Sequence, residues 1–244
     1  MTLQKTRLDL LLVQKGLAET REKARALILA GHVMVDGTQA DKAGRLVPQS
    51  CSIKVKEAPP YVSRGGLKLE AALEQFDVDV AGKVILDVGA STGGFTDCLL
   101  KHGAAGVVTV DVGYGQLDFR LRQDARVTVL EKTNIRYLKP EDISEDLHGA
   151  VIDVSFISLR LVVPAVSLLL KENAFIIALI KPQFEVGKGK VGKGGVVRDP
   201  ALHQEVVEGL KAFFQTEGWK VIGIIPSPIS GSKGNREFLI YLKT

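Results

Sequence analysis

Cysteine, histidine and long apolar runs are scarce in this sequence, and each shortage removes a class of protein. Only two cysteines, Cys51 and Cys98, occur in 244 residues, 47 positions apart. That rules out a disulfide framework and is expected of a reducing compartment. Four histidines (His32, His102, His148 and His203) are scattered, with no Cys/His group at metal-ligand spacing and no triad-like setting, so neither a zinc site nor histidine catalysis is expected. The longest apolar runs are Leu161–Leu170, broken by Pro164 and Ser167, and Ala174–Ile180. Both fall short of the roughly 18 to 20 residues that cross a bilayer. At the N-terminus a short apolar stretch, Leu10 to Val13, gives out at Gln14 and Lys15 without a small-residue cleavage site, so no signal peptide is expected. The reading is cytoplasmic, with no membrane partner and no obligate protein partner evident. Charge of one sign is also scarce: 32 basic against 28 acidic side chains leave a net +4. This permits a polyanionic partner without requiring one.

What is present reads as two domains. Residues 1–57 contain ten basic and six acidic side chains, a net +4, as much as the whole chain. Leu8, Leu11 and Leu12 lie at helical spacing before Gly16. A second helix is expected from an N-cap at Thr20 to Gly31, with Ala24, Leu27 and Ile28 inward and Arg21, Lys23 and Arg25 on the opposite face. Val33 to Val35, the Asp36-Gly37 turn and Ile53 to Val55 predict a small sheet. Pro59-Pro60 marks a linker over 58–62. From 63 to 244 the pattern changes to seven apolar strand candidates, beginning at Val84, Val107, Val127, Ala150, Ala174, Val221 and Phe238, with amphipathic segments between most of them. That alternation predicts a doubly wound α/β sheet. The last two strands, joined without a helix, are expected to pair antiparallel at its edge.

The first of these strands runs into Asp87-Val-Gly89-Ala-Ser91-Thr-Gly93-Gly94-Phe95. Glycines at 89, 93 and 94 do not match the dinucleotide fingerprint. The acid two residues before Gly89 suits a cofactor with a cationic amino-acid end, such as S-adenosylmethionine, better than a pyrophosphate. Asp111, at the end of the second strand, is placed for ribose hydroxyls. A glycine turn needed only for strand-to-helix packing is the alternative reading of the loop. Gly187 to Lys193 has Walker A spacing, but Gly194 stands where Ser or Thr is required. Its lysines, Lys188, Lys190 and Lys193, are instead expected on a mobile loop against an RNA backbone or on a solvated turn.

These residues resemble the TlyA family, ribosomal RNA ribose 2′-O-methyltransferases historically called haemolysins. Residues 7–56 are similar to an S4 RNA-binding module through Arg7-Leu-Asp, Gly16-Leu, Arg21-x-x-x-Arg25 and Gly31-x-Val-x-Val-Asp-Gly37. The second domain carries Val62-Ser-Arg64-Gly-Gly66-x-Lys68-Leu, Asp153-Val-Ser155-Phe-Ile-Ser158 and Lys181-Pro-Gln-Phe-Glu-Val-Gly187. The resemblance implies a Rossmann-like seven-stranded methyltransferase domain behind a small α+β S4 domain. It implies S-adenosylmethionine as cofactor, no metal, and ribosomal RNA or ribosomal subunits as partner, with a cytidine of the large-subunit RNA as target. Arg7 joins Arg21, Lys23 and Arg25 as RNA-binding residues.

The wider FtsJ-type group carries a Lys-Asp-Lys-Glu tetrad, which falls here on Lys68, Asp153, Lys181 and Glu237. The resemblance makes Lys181 the candidate base, held by Asp153, with Glu237 orienting Lys68; burial and neighbouring positive charge are expected to ease loss of its proton. Asn134, just after the third strand, is expected near the adenine. Two other readings stand beside the enzyme: a membrane-lysing haemolysin and a catalytically inert RNA-binding assembly factor.

Overall fold

The computed structural model describes residues 5–55, 59–187 and 189–243. It divides into two compact units, Met1–Pro59 and Pro60–Thr244.

In the first unit the chain runs β1 (Lys5–Arg7), α1 (Leu8–Gln14), α2 (Arg21–Leu29), β2 (Val33–Val35), β3 (Thr38–Gln39), β4 (Leu46–Pro48) and β5 (Ile53–Val55). Leu8, Leu11 and Leu12 of α1 meet Ala24 and Ile28 of α2 in one core with Val33 and Val35. Thr20 caps α2 through its hydroxyl, which accepts from the Lys23 amide at 3.2 Å, and Gly31 ends the turn at φ +73°, a conformation open to glycine. Leu27, expected inside, is only half-buried and packs at the margin of this core. Val33–Val35 pairs antiparallel with Ile53–Val55 in a three-stranded sheet ordered β3-β2-β5. A separate β1-β4 ladder, Lys5–Arg7 against Leu46–Pro48, was not anticipated; strands of two or three residues are too short to show a period of two.

The second unit runs α3 (Gly65–Gln75), β6 (Val84–Val88), α4 (Gly94–Lys101), β7 (Gly106–Val110), α5 (Phe119–Arg122), β8 (Val127–Leu130), β9 (Gly149–Ile152), α6 (Leu159–Ser167), β10 (Phe175–Ile180), α7 (Pro182–Glu185), α8 (Pro200–Thr216), β11 (Lys220–Pro226) and β12 (Phe238–Lys243). Its sheet is ordered β11-β12-β10-β9-β6-β7-β8. β6 to β10 are parallel, and β12 lies antiparallel between β10 and the edge strand β11. β9 and β10 are buried at every position, as strands covered on both faces must be. One face packs on α6 and α8 through Val162, Val163, Leu210 and Phe214. The other packs on α3 and α4 through Leu69, Leu73, Phe95 and Leu99. Strand order reverses between β6 and β9, and the crevice beyond their carboxyl ends is where such sheets hold ligands. Among the described residues no helix is long and apolar enough to cross a membrane.

Candidate active site

The turn after β6 is shaped by what its glycines touch. A Cβ on Gly89, at φ +84°, would stand 2.6 Å from the Asp153 carbonyl oxygen, so only glycine lets the turns after β6 and β9 meet. A Cβ on Gly94 would fall 2.2 Å from Ser63 Oγ. Gly89, Ser91 and Gly94 border a cavity of about 250 Å³, together with Lys68 and Asp153. Gly93 is placed differently from the expectation of a backbone facing the cofactor. A Cβ there would meet Leu121 Cδ1 at 2.3 Å and Leu117 Cδ1 at 2.8 Å, so this glycine serves packing.

Asp87 is also a layer below its expected place. It is fully buried, with Oδ2 accepting from Thr96 Oγ1 at 2.6 Å and no partner on Oδ1. Burial pushes its carboxyl up to about 7, and the charges of Asp153 and Asp111 add to the rise against the Thr96 hydrogen bond. Asp111 follows β7 and is half-buried. Its Oδ2 accepts from the Ser91 amide at 2.8 Å and its Oδ1 from the Gly113 amide at 2.7 Å. Each oxygen thus keeps acceptor capacity for a diol. An unpartnered buried carboxylate beneath the loop, an oriented one beside it and the amino end of α4 suit a donor with a cationic centre, a carboxylate and a ribose. Asn134 lies off the cavity wall. Its Oδ1 accepts from the Arg136 amide at 3.1 Å and starts a short 3-10 turn.

The four remaining polar residues form two ion pairs. Lys68, in the first turn of α3, donates to Glu237 Oε2 at 2.6 Å, with both residues buried. Lys181, directly after β10, has Nζ 2.6 Å from Asp153 Oδ1 and donates to Ser155 Oγ at 2.9 Å. The Asp153 oxygen has no partner in hydrogen-bond geometry, so the two are held by charge at close range rather than by an aligned bond. Lys68 and Asp153 face the same cavity; Glu237 and Lys181 stand behind them, joined through these pairs and not themselves on its wall.

Four features were given no role from the sequence, although Ser155, Phe156 and Glu185 stand inside the Asp153–Ser158 and Lys181–Gly187 motifs. Ser155 bridges to Lys181 across 26 positions. Phe156 sits at φ +64°, a strained value for an aromatic residue, and is 90% exposed, with its ring centroid 4.9 Å from that of Phe184. Glu185 pins this loop: Oε2 accepts from Ser158 Oγ at 2.7 Å and Oε1 from the Leu159 amide at 2.8 Å. Burial raises its carboxyl above the ordinary value. The hairpin segment before β12 also reaches the cavity, with Ser230 and Ser232 on its wall. A Cβ on Gly231 would collide with Glu237 Oε1 at 1.8 Å.

In the first unit Arg7 and Arg21 both bond to Asp9. Lys23 pairs with Glu19, and Arg25 is exposed. In the basic loop Lys190 bonds to Glu205 at 2.5 Å and Lys193 is exposed; Lys188 lies outside the described residues.

Comparison with known proteins agrees with these two units. The FtsJ-like methyltransferase family matches residues 61–244, and the S4 domain matches residues 6–50. The Bacillus subtilis protein YqxC, named as a candidate rRNA methyltransferase, is 51% identical over 99% of this chain and 87% of its own. The 16S/23S rRNA (cytidine-2′-O)-methyltransferase TlyA of Mycobacterium tuberculosis is 48% identical, over 99% of this chain and 91% of its own. A solved structure of a candidate hemolysin from Streptococcus thermophilus is 45% identical, with a TM-score of 0.76 over 100% of this chain and 90% of that one. The chain belongs to the TlyA branch of the FtsJ-like methyltransferase family, in which an S4 domain precedes the catalytic domain.

Proposed function

We propose that this protein transfers a methyl group from S-adenosylmethionine to the 2′-hydroxyl of a cytidine ribose in ribosomal RNA. The observation that carries the reading is the cavity shared by Lys68 and Asp153, each ion-paired to a second residue of the same kind of site. When bound, the donor supplies an already activated methyl, so the protein has no covalent intermediate to form. What remains is acid–base and positioning work. A ribose hydroxyl is a weak nucleophile until its proton is drawn off. Lys181 is the residue for this: Ser155 Oγ takes one direction at Nζ and the Asp153 carboxylate holds the amine by charge at 2.6 Å, leaving Nζ a direction toward the substrate oxygen. Lys68, fixed by Glu237 in a buried pair, adds positive charge where the oxygen becomes negative.

Asp111, Asp87 and the backbone around Gly89, Ser91 and Gly94 would hold the donor, with Gly93 keeping their turn closed. Asn134 would reach the adenine only at the far rim. Phe156 offers an exposed ring beside Ser155 on which an unstacked base can rest. Arg7, Arg21, Lys23 and Arg25 would dock the RNA, and Lys188, Lys190 and Lys193 would meet its phosphates. The compartment that goes with such a substrate is the cytoplasm.

The test is to incubate the protein with methyl-labelled S-adenosylmethionine and ribosomal subunits from cells lacking the gene, then digest the RNA to nucleosides. The label should appear in 2′-O-methylcytidine. Label on a base would overturn the ribose assignment, and unlabelled RNA would leave the inert assembly factor.

A further inference from the structure

The first unit contains a carboxylate that its fold treats unlike the others. Asp9, in the first turn of α1, has 0% of its surface exposed, yet it meets two guanidinium groups from different elements. Arg7, at the end of β1, donates from Nε to Oδ1 at 3.0 Å and from Nη2 to Oδ2 at 2.9 Å. Arg21, the first residue of α2, donates from Nε to Oδ2 at 3.0 Å. The Leu10 amide takes a second site on Oδ1 at 3.0 Å, so the four acceptor sites of the carboxylate are filled.

The arginines themselves are not buried. Their side chains keep 43% and 46% of their exposure. Of five N–H donors on each guanidinium, Arg7 commits two and Arg21 one to Asp9, and the remainder are unspent on it. Two like charges bonded to one carboxylate leave a surplus of one positive charge at the surface. A tetrahedral dianionic or monoanionic oxygen group can neutralise that surplus and take up the spare donors. Ion pairs to arginines this exposed contribute little to stability, so stability alone does not account for the arrangement. Lys23 and Arg25 differ: one is tied to an exposed Glu19 and the other points outward, so they supply diffuse attraction.

We infer that Asp9 is a positioning residue for RNA recognition, bracing Arg7 and Arg21 into a single preformed clamp for a backbone phosphate. The inference rests on the reading of the first unit as the RNA dock. It predicts a sign that charge alone does not. Asp9→Asn makes the full chain more positive, so simple attraction would tighten binding. Loss of the brace instead weakens binding to intact large ribosomal subunits by about tenfold or more, while affinity for a generic RNA duplex holds steady or rises. Arg7→Lys and Arg21→Lys keep both the charge and Asp9 but lose the fork geometry. Each should bind subunits about as poorly as the corresponding Ala variant. These lysine variants decide the matter if Asp9→Asn fails to fold. Subunit binding by folded Asp9→Asn as tight as that of the parent, or rescue by either lysine, overturns the clamp. Unchanged binding in Arg7→Ala and Arg21→Ala together would instead remove the first unit as the RNA dock.

Discussion

Asp87 is a residue whose position could be read from the sequence and whose state could not. An acid two places before the first glycine of a strand-end loop is visible as a motif. That its carboxylate lies beneath the loop, with one oxygen unpartnered, depends on Thr96 and on the neighbouring strands. The consequence is a stability that depends on pH. With the folded carboxyl pushed up to about 7 from an ordinary 3.8, the folded chain holds a proton that the unfolded chain has released throughout that interval. Stability therefore falls as pH rises from about 4 to about 7 and levels off above, by an amount on the order of 4 kcal/mol. Asp87→Asn should remove this slope, melting well above the parent at pH 8 and close to it at about pH 4 and below, in donor-free protein. A slope in the variant equal to the parent's would assign the effect elsewhere. Gly93 gives the same lesson: its need for glycine was legible, but the cause, contact with Leu117 and Leu121, was not.

At the scale of elements, the seven strands of the large sheet were legible because buried strands are apolar runs bounded by turn residues. The ladder of β1 with β4 was not, because three residues show no period. The site itself is built by two turns, after β9 and after β10, whose mutual contacts join residues 26 or 27 positions apart: Ser155 with Lys181, and Ser158 and Leu159 with Glu185. Local sequence has no signal for such pairs. Glu185 holds the β9 turn, including the strained Phe156, against the turn that carries Lys181. Glu185→Ala should free that turn and lower single-turnover methyl transfer by about tenfold with donor affinity within about twofold. Glu185→Gln, which can still accept from the Leu159 amide, should recover most of the rate. A loss of donor binding in Glu185→Ala, or equal rates in both variants, would show that the contact only stabilises the fold.

The molecule divides into units ending at Pro59 and beginning at Pro60, each enclosing its own core. A fragment beginning at Pro60 should therefore fold and bind S-adenosylmethionine with parental affinity. Without the cations of the first unit it should methylate ribosomal subunits poorly, by at least about tenfold in kcat/KM at physiological salt, since phosphate contacts supply much of the affinity. Parental activity in the fragment would mean that the catalytic unit finds its RNA unaided. Purified full-length protein should also leave red cells intact. Lysis by a preparation free of other bacterial products would revive the haemolysin reading.

In the proposed reaction the cavity between β6 and β9 is where the methyl group is transferred, with Lys181 receiving the hydroxyl proton. Single-turnover methylation of ribosomal subunits by Lys181→Ala tests it most directly, with donor and RNA affinities measured on the same preparation. The expected result is a rate lower by at least about 10², affinities within about threefold, and no rescue by Lys181→Arg, whose guanidinium stays protonated. A rate within a few-fold of the parent, or a deficit confined to binding, would contradict it.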